Sequence, residues 1–112
     1  MNANRHRGEI VATLDGKPHR LCLTLGALAE LEDAFAASDL TGLVARFSSG
    51  RLSAGDMVKI LGCGLRGGGS EVSDEAVRAM RCDDGAAGFA RIVADLLTAT
   101  FGRAEKDAAP VP

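Results

Sequence analysis

The chain has no tryptophan and no tyrosine, and only 4 phenylalanines among its 112 residues. It thus lacks the aromatic platforms on which single-stranded nucleic acid stacks. A basic excess is missing as well: 13 Lys and Arg stand against 15 Asp and Glu, a net charge of −2. Nucleic-acid-binding domains normally carry a basic patch. Here the basic residues are scattered, apart from Arg5 and Arg7 around His6. Cysteine is sparse, and 3 is an odd count, unlike the even sets of a disulfide scaffold. No apolar run approaches the ~20 residues that a membrane-spanning helix requires. Mostly polar residues through Glu9 do not fit the basic-then-apolar layout of a secretory signal. These features argue against nucleic acid and membrane as partners and point to a reducing cytoplasm.

At this length one domain is expected, since domains usually run ~100–150 residues. It should span 7–102, between a flexible N-terminal tail (1–6) and a polar, Ala/Pro-rich tail (103–112) expected to be disordered. The stretch from Leu21 to Phe35 organises the rest. Leu21 and Leu23 alternate as in a strand, whereas Leu28, Leu31 and Phe35 recur with helical spacing, and Thr24 between them suits an N-cap. Upstream, Ile10, Ala12 and Leu14 alternate with Glu9, Val11 and Thr13, and Asp15-Gly16 signals a two-residue turn. Closing the hairpin there pairs Leu14 with Lys17, Ala12 with His19 and Ile10 with Leu21. Pro18 then faces Thr13, where its missing N–H is tolerated on an edge strand.

Downstream the spacing predicts short helices. The first runs from Leu25 to Ala37, and the second starts at Ser38-Asp39 with Leu40, Leu43, Val44 and Phe47 inward and ends at Ser48-Ser49-Gly50. Ser53 and Asp56 form a near capping box for the third, whose stripe is Met57, Ile60, Leu61 and Leu65. Gly67-Gly68-Gly69 ends it as a flexible linker and candidate hinge. Ser73 caps a short fourth helix carrying Val77 and Met80, and the last runs from Ala86 to Phe101. The expectation is an α+β fold: an N-terminal β-hairpin followed by four or five short α-helices in one compact domain.

Few groups invite chemistry. His19, Cys22, Cys63 and Cys82 are zinc-ligating types. Positions three apart on a strand project to opposite faces, so His19 and Cys22 do not converge, and the thiols read as small buried hydrophobes. The triple glycine follows a helix and precedes no Gly-Lys-Ser/Thr, which separates it from a phosphate loop. Glu30, Glu32 and Asp33 crowd three carboxylates on one helical turn with no neighbouring cation in the sequence. They read as a solvated acidic face, able at most to steer a basic partner. No nucleophile constellation emerges, so no enzyme, cofactor or metal is expected.

The last helix is the richest stretch. Phe89, Ile92, Val93, Leu96, Leu97 and Phe101 spread over about half its circumference at ~100° per residue, with Ala86 and Ala90 in the same arc and Arg91, Asp95 and Thr98 opposite. One core needs a stripe of only ~100°. The surplus either packs on the hairpin or receives an apolar helix of another protein.

Leu23-Thr-Leu-Gly-Ala-Leu-Ala-Glu-Leu-Glu32, preceded by the hairpin and followed by Arg51-Leu-Ser-Ala-Gly-Asp-Met-Val-Lys-Ile-Leu-Gly62, resembles the gene-transfer-agent family of small phage-tail proteins. These are counterparts of phage tail assembly chaperones and are sometimes labelled tail tube components. The resemblance covers roughly residues 5 to 102 and rests on apolar, structural motifs. It implies a chaperone that binds the tape measure protein, with the tail tube protein as a further partner and a homo-oligomer left open. The alternatives are a structural subunit retained in the particle and a generic helical adaptor.

Overall fold

A computed structural model of the chain describes residues 2–49 and 51–102. Its first regular unit is the hairpin, β1 (Glu9–Leu14) and β2 (Lys17–Cys22), paired antiparallel in the expected register with Leu14 opposite Lys17, Thr13 opposite Pro18 and Ile10 opposite Leu21. Asp15 and Gly16 take positive φ values of 54° and 75°, as a type I′ turn requires. Ile10, Ala12, Leu14 and Leu21 are buried on the inner face, while Val11 and Thr13 face outward. Ahead of β1, Arg5–Arg7 form a 3-10 turn in which the Asn4 side chain accepts from the His6 N–H. Arg5 reaches Asp95 at 2.8 Å, so residues assigned to the tail by sequence lie against the last helix.

Five helices follow: α1 (Leu25–Ala34), α2 (Leu40–Ser48), α3 (Ala54–Gly67), α4 (Asp74–Arg78) and α5 (Gly85–Phe101). With the hairpin they make the expected α+β fold. Side chains of Thr24, Asp39, Ser53 and Ser73 cap the first four, and Ser53 with Asp56 completes a capping box, each cap satisfying an otherwise unpaired backbone N–H.

Helix α1 stops three residues short of the expected end. Ala36 adopts φ 55°, and the N–H groups of Ala36 and Ala37 donate to the carbonyls of Asp33 and Glu32. This is a Schellman ending with alanine where glycine is usual. Helix α2 departs from its expected inward stripe. Leu43 and Phe47 are buried, but Leu40 and Val44 are 41% and 38% exposed. Its terminator, expected at Ser48-Ser49-Gly50, is now headed by Ser49 as C-cap, with Gly50 outside the described residues. The expectation of disorder over 103–112 also lies outside them.

The core forms where α3 packs on β2 and α5 packs on β1, with α1 closing over α3. Leu14, Leu21, Leu31, Ile60, Leu65 and Leu96 are fully enclosed there. Two glycines set the helix–helix approach. A Cβ at Gly64 would lie 2.7 Å from Cδ2 of Leu96, so α5 sits on α3 through a notch. A Cβ at Gly62 would meet the Asp74 carboxylate, which brings α4 against the same helix.

Candidate functional site

The arc of α5 divides into two parts. Leu96 and Val93, at 0% and 1% exposure, belong to the core, and Phe89 and Ile92 are partly buried against it. Leu97 and Phe101 are half-buried and, with Val93 as floor, line a groove of about 540 Å³ between α2, the start of α3 and α5. Its opposite wall is Val44 and Phe47 of α2 with Leu52 and Met57. Ala90 and Ala94 keep the α5 side shallow, so the described side chains leave the groove unfilled. Thr98, assigned by sequence to the far side of α5, lies on this rim with Ser48.

Aromatic packing holds the walls. The rings of Phe35 and Phe47 meet edge to face at 5.4 Å, and Phe47 lies 6.4 Å from Phe101, within the range in which such pairs attract. The Arg46 guanidinium sits 5.3 Å from the Phe35 centroid. Its two nitrogens donate to Asp56 at 3.0 Å and to the Arg51 carbonyl at 2.9 Å, tying α2 to the start of α3. Among the described residues, no ionisable side chain lines the groove.

The acidic trio does not form one face. Glu30 is not a solitary carboxylate: it accepts from Lys59 and Arg66, each at 3.0 Å. Asp74 accepts from the same two cations at 3.3 and 3.0 Å, and Arg66 also donates to the Val72 carbonyl. Four charges from α1, α3 and α4 thus form one cluster over Gly62. Hydrogen bonding from Lys59 holds the Glu30 carboxyl below its ordinary range. Burial pushes Asp74 up, but Arg66 and Lys59 outweigh it and leave it lowered. Glu32 is half-buried and Asp33 exposed, and neither makes an ion pair among the described residues. Of the three, Glu30 alone is engaged in ion pairs among the described residues.

The glycine run is not a loose linker over its first two residues. Gly67 is the last residue of α3 and Gly68 its C-cap. A Cβ on either would fall inside the carbonyl oxygens of Cys22 and Arg20. These glycines are a close contact between α3 and β2, and only Gly69, at φ 107°, stands in open space. The cysteines stay apart: Cys63 is buried, its thiol pushed up to about 11 by burial, and Cys22 and Cys82 are half-buried elsewhere. Among the described residues, no three His, Cys, Asp or Glu side chains come together as a metal site.

Sequence reasoning missed the α2 wall of the groove, because Val44 had been turned inward. A usable signal was the small residue at both 90 and 94 inside an otherwise bulky arc.

Comparison with curated proteins and with solved structures gives no match. A scan against family models matches residues 7–103 to one described as phage tail tube protein, GTA-gp10. With nearly the whole of the described fold inside that match, the chain belongs to this family of gene-transfer-agent and phage tail proteins.

Proposed function

We propose that the protein is a non-enzymatic assembly factor for a phage-like tail, and that it holds an apolar helical segment of the tape measure protein in the groove between α2 and α5. The observation behind this reading is the groove itself: about 540 Å³, lined by Val44, Phe47, Leu97 and Phe101 and, among the described residues, by no charge. Helix-in-groove recognition uses anchors at i, i+3 or i+4 and i+7, and each large apolar side chain fully buried contributes ~1.5–3 kcal/mol. Holding a sticky helix until tube subunits assemble needs no catalytic group. The work belongs in the cytoplasm, and no described helix is long and apolar enough to cross a membrane.

Co-expression with the tape measure protein of the same gene cluster tests the proposal. A soluble complex recovered by pull-down, lost in Val44→Asp, supports it. A tape measure that stays equally insoluble, with no complex, ends it.

A second reading, a structural subunit retained in the tail, is favoured by the family's own description as a tail tube protein. Against it, the sheet among the described residues has only two strands, whereas a closed tube ring calls for a larger one. Mass spectrometry of purified particles separates the two: many copies mean a structural subunit, and absence means an assembly factor.

A further inference from the structure

The groove between α2 and α5 lies where the chain leaves its last helix. Gly102 lines it together with Phe101. Gly102 holds φ 76°, and its N–H donates to the Thr98 carbonyl. Glycine adopts that left-handed ending freely, and it turns the backbone away from the helix axis instead of prolonging it. Whatever follows Gly102 therefore starts at the rim of the groove.

The sequence that follows has two unlike halves. Residues 103–107 read Arg-Ala-Glu-Lys-Asp, with one uncharged residue, and residues 108–112 read Ala-Ala-Pro-Val-Pro, with no charge at all. The first half suits water and the second suits the groove. Apart from Ser48 and Thr98, the described side chains that line it are apolar. A segment covered there must bring few N–H groups, because a buried donor without a partner is costly. Proline brings none, and positions 110 and 112 are both proline. Proline-rich segments also dock on grooves walled by aromatic rings, and Phe47 and Phe101, 6.4 Å apart, wall this one.

Length agrees with chemistry. Ala90, at the far end of the α5 wall, is about 18 Å from Gly102 at ~1.5 Å per helical residue. The stretch from Gly102 to Ala108 spans up to about 20 Å at ~3.3 Å per residue. The apolar half thus reaches every part of the groove. A tether this short holds it at a roughly millimolar effective concentration, ahead of the same segment from a second chain in any more dilute solution.

We propose that residues 108–112 occupy this groove in the free chain, folded back over Val44, Leu97 and Phe101 as a displaceable plug. A helix that seeks the groove then competes with the plug for the same wall. That consequence rests on the reading of the groove as the tape measure site, whereas the docking of 108–112 does not. One valine and two prolines present less apolar surface than a helix with anchors at i, i+3 or i+4 and i+7. The plug therefore covers the groove until such a helix arrives and yields to it.

Methyl nuclear Overhauser spectra of the full chain at about 0.1 and 1 mM, either side of docking by a second chain, test the proposal. Cross-peaks from the Val111 methyls to those of Val44 or Leu97 are expected, with the same relative intensity at both concentrations. Val111→Asp, outside the described core, should shift the Val44 and Leu97 methyls and leave those of Leu14 and Leu21 in place. It should also tighten binding of the apolar dye 8-anilinonaphthalene-1-sulfonate by about fivefold or more, because a covered site lowers apparent affinity by the fraction left open. Absence of the Val111 cross-peaks overturns the proposal. So do cross-peaks that fade on dilution, which belong to a second copy, or a variant whose groove methyls do not move. The two readings fail separately. If the cross-peaks are present and tape measure peptides bind neither the parent nor Val111→Asp, the assembly role falls and the plug stands. If peptides bind both equally and the cross-peaks are missing, the plug falls and the assembly role stands.

Discussion

Replacing Gly67 by alanine should destabilise the protein, although alanine is the better helix former by ~1 kcal/mol. Gly67 occupies the last turn of α3, and its missing Cβ is the space taken by the Cys22 carbonyl of β2. An added methyl would sit closer than the 3.0 Å that real Cβ atoms keep, and the atom it meets is backbone, which cannot rotate away. Either the end of α3 unwinds or the hairpin lifts. Both routes loosen the enclosed Leu21 and Leu65. Forced overpacking typically costs ~1–3 kcal/mol; with backbone as the obstacle the upper end of about 3 applies, so the net loss after a propensity gain of about 1 kcal/mol is about 2 kcal/mol. For a domain of this size that lowers Tm by roughly 10 °C. Thermal unfolding followed by far-ultraviolet circular dichroism reads the change. Gly55→Ala is the control, because its Cβ would meet only the Ser53 hydroxyl at 3.7 Å, and it should raise Tm slightly. If Gly67→Ala matches or exceeds the parent, the close α3–β2 contact is refuted.

Other outcomes follow from the same geometry. Ala36→Gly should stabilise by about 0.5–1 kcal/mol in urea titration, since Ala36 holds a left-handed conformation that glycine adopts freely. Arg66→Met removes donors to Glu30, Asp74 and the Val72 carbonyl and should cost about 1–2 kcal/mol for a half-exposed cluster. Because Glu30 and Asp74 titrate below their ordinary values, their contribution is complete above the unfolded values of about 4 and fades as pH falls through the lowered ones. A pH series from 7 to 2 should show that loss, and the double variant Glu30→Gln, Asp74→Asn should flatten it. Leu97→Ala should leave the fold intact and weaken tape measure capture by roughly tenfold, given the ~1.4 kcal/mol that separates decades of affinity.

The hairpin register was legible because its turn chemistry is local: Asp15-Gly16 fixes the pairing, and Pro18 fits only one edge. The N-caps were legible for the same reason. What sequence spacing could not reveal was set by encounters between distant positions. Glu30, Lys59, Arg66 and Asp74 lie in three elements, and each looks like a solitary surface charge until the helices cross. Gly67 and Gly68 read as a loose linker when the β2 carbonyls beside them are out of view. Ala36 ends α1 through backbone bonds that leave no glycine as a marker. In α5, periodicity separated apolar from polar positions correctly, apart from Thr98. It could not assign Leu96 to the core and Leu97 to the groove, because that depends on the notch at Gly64.

The groove's role is tested most directly by titrating isotopically labelled protein with synthetic peptides that tile the tape measure protein, while recording methyl spectra. At least one apolar helical peptide should shift the methyls of Val44, Leu52 and Leu97 and leave those of Leu14 and Leu21 in place. Peptides that shift only methyls away from the groove, or that shift none at millimolar concentration, would contradict it.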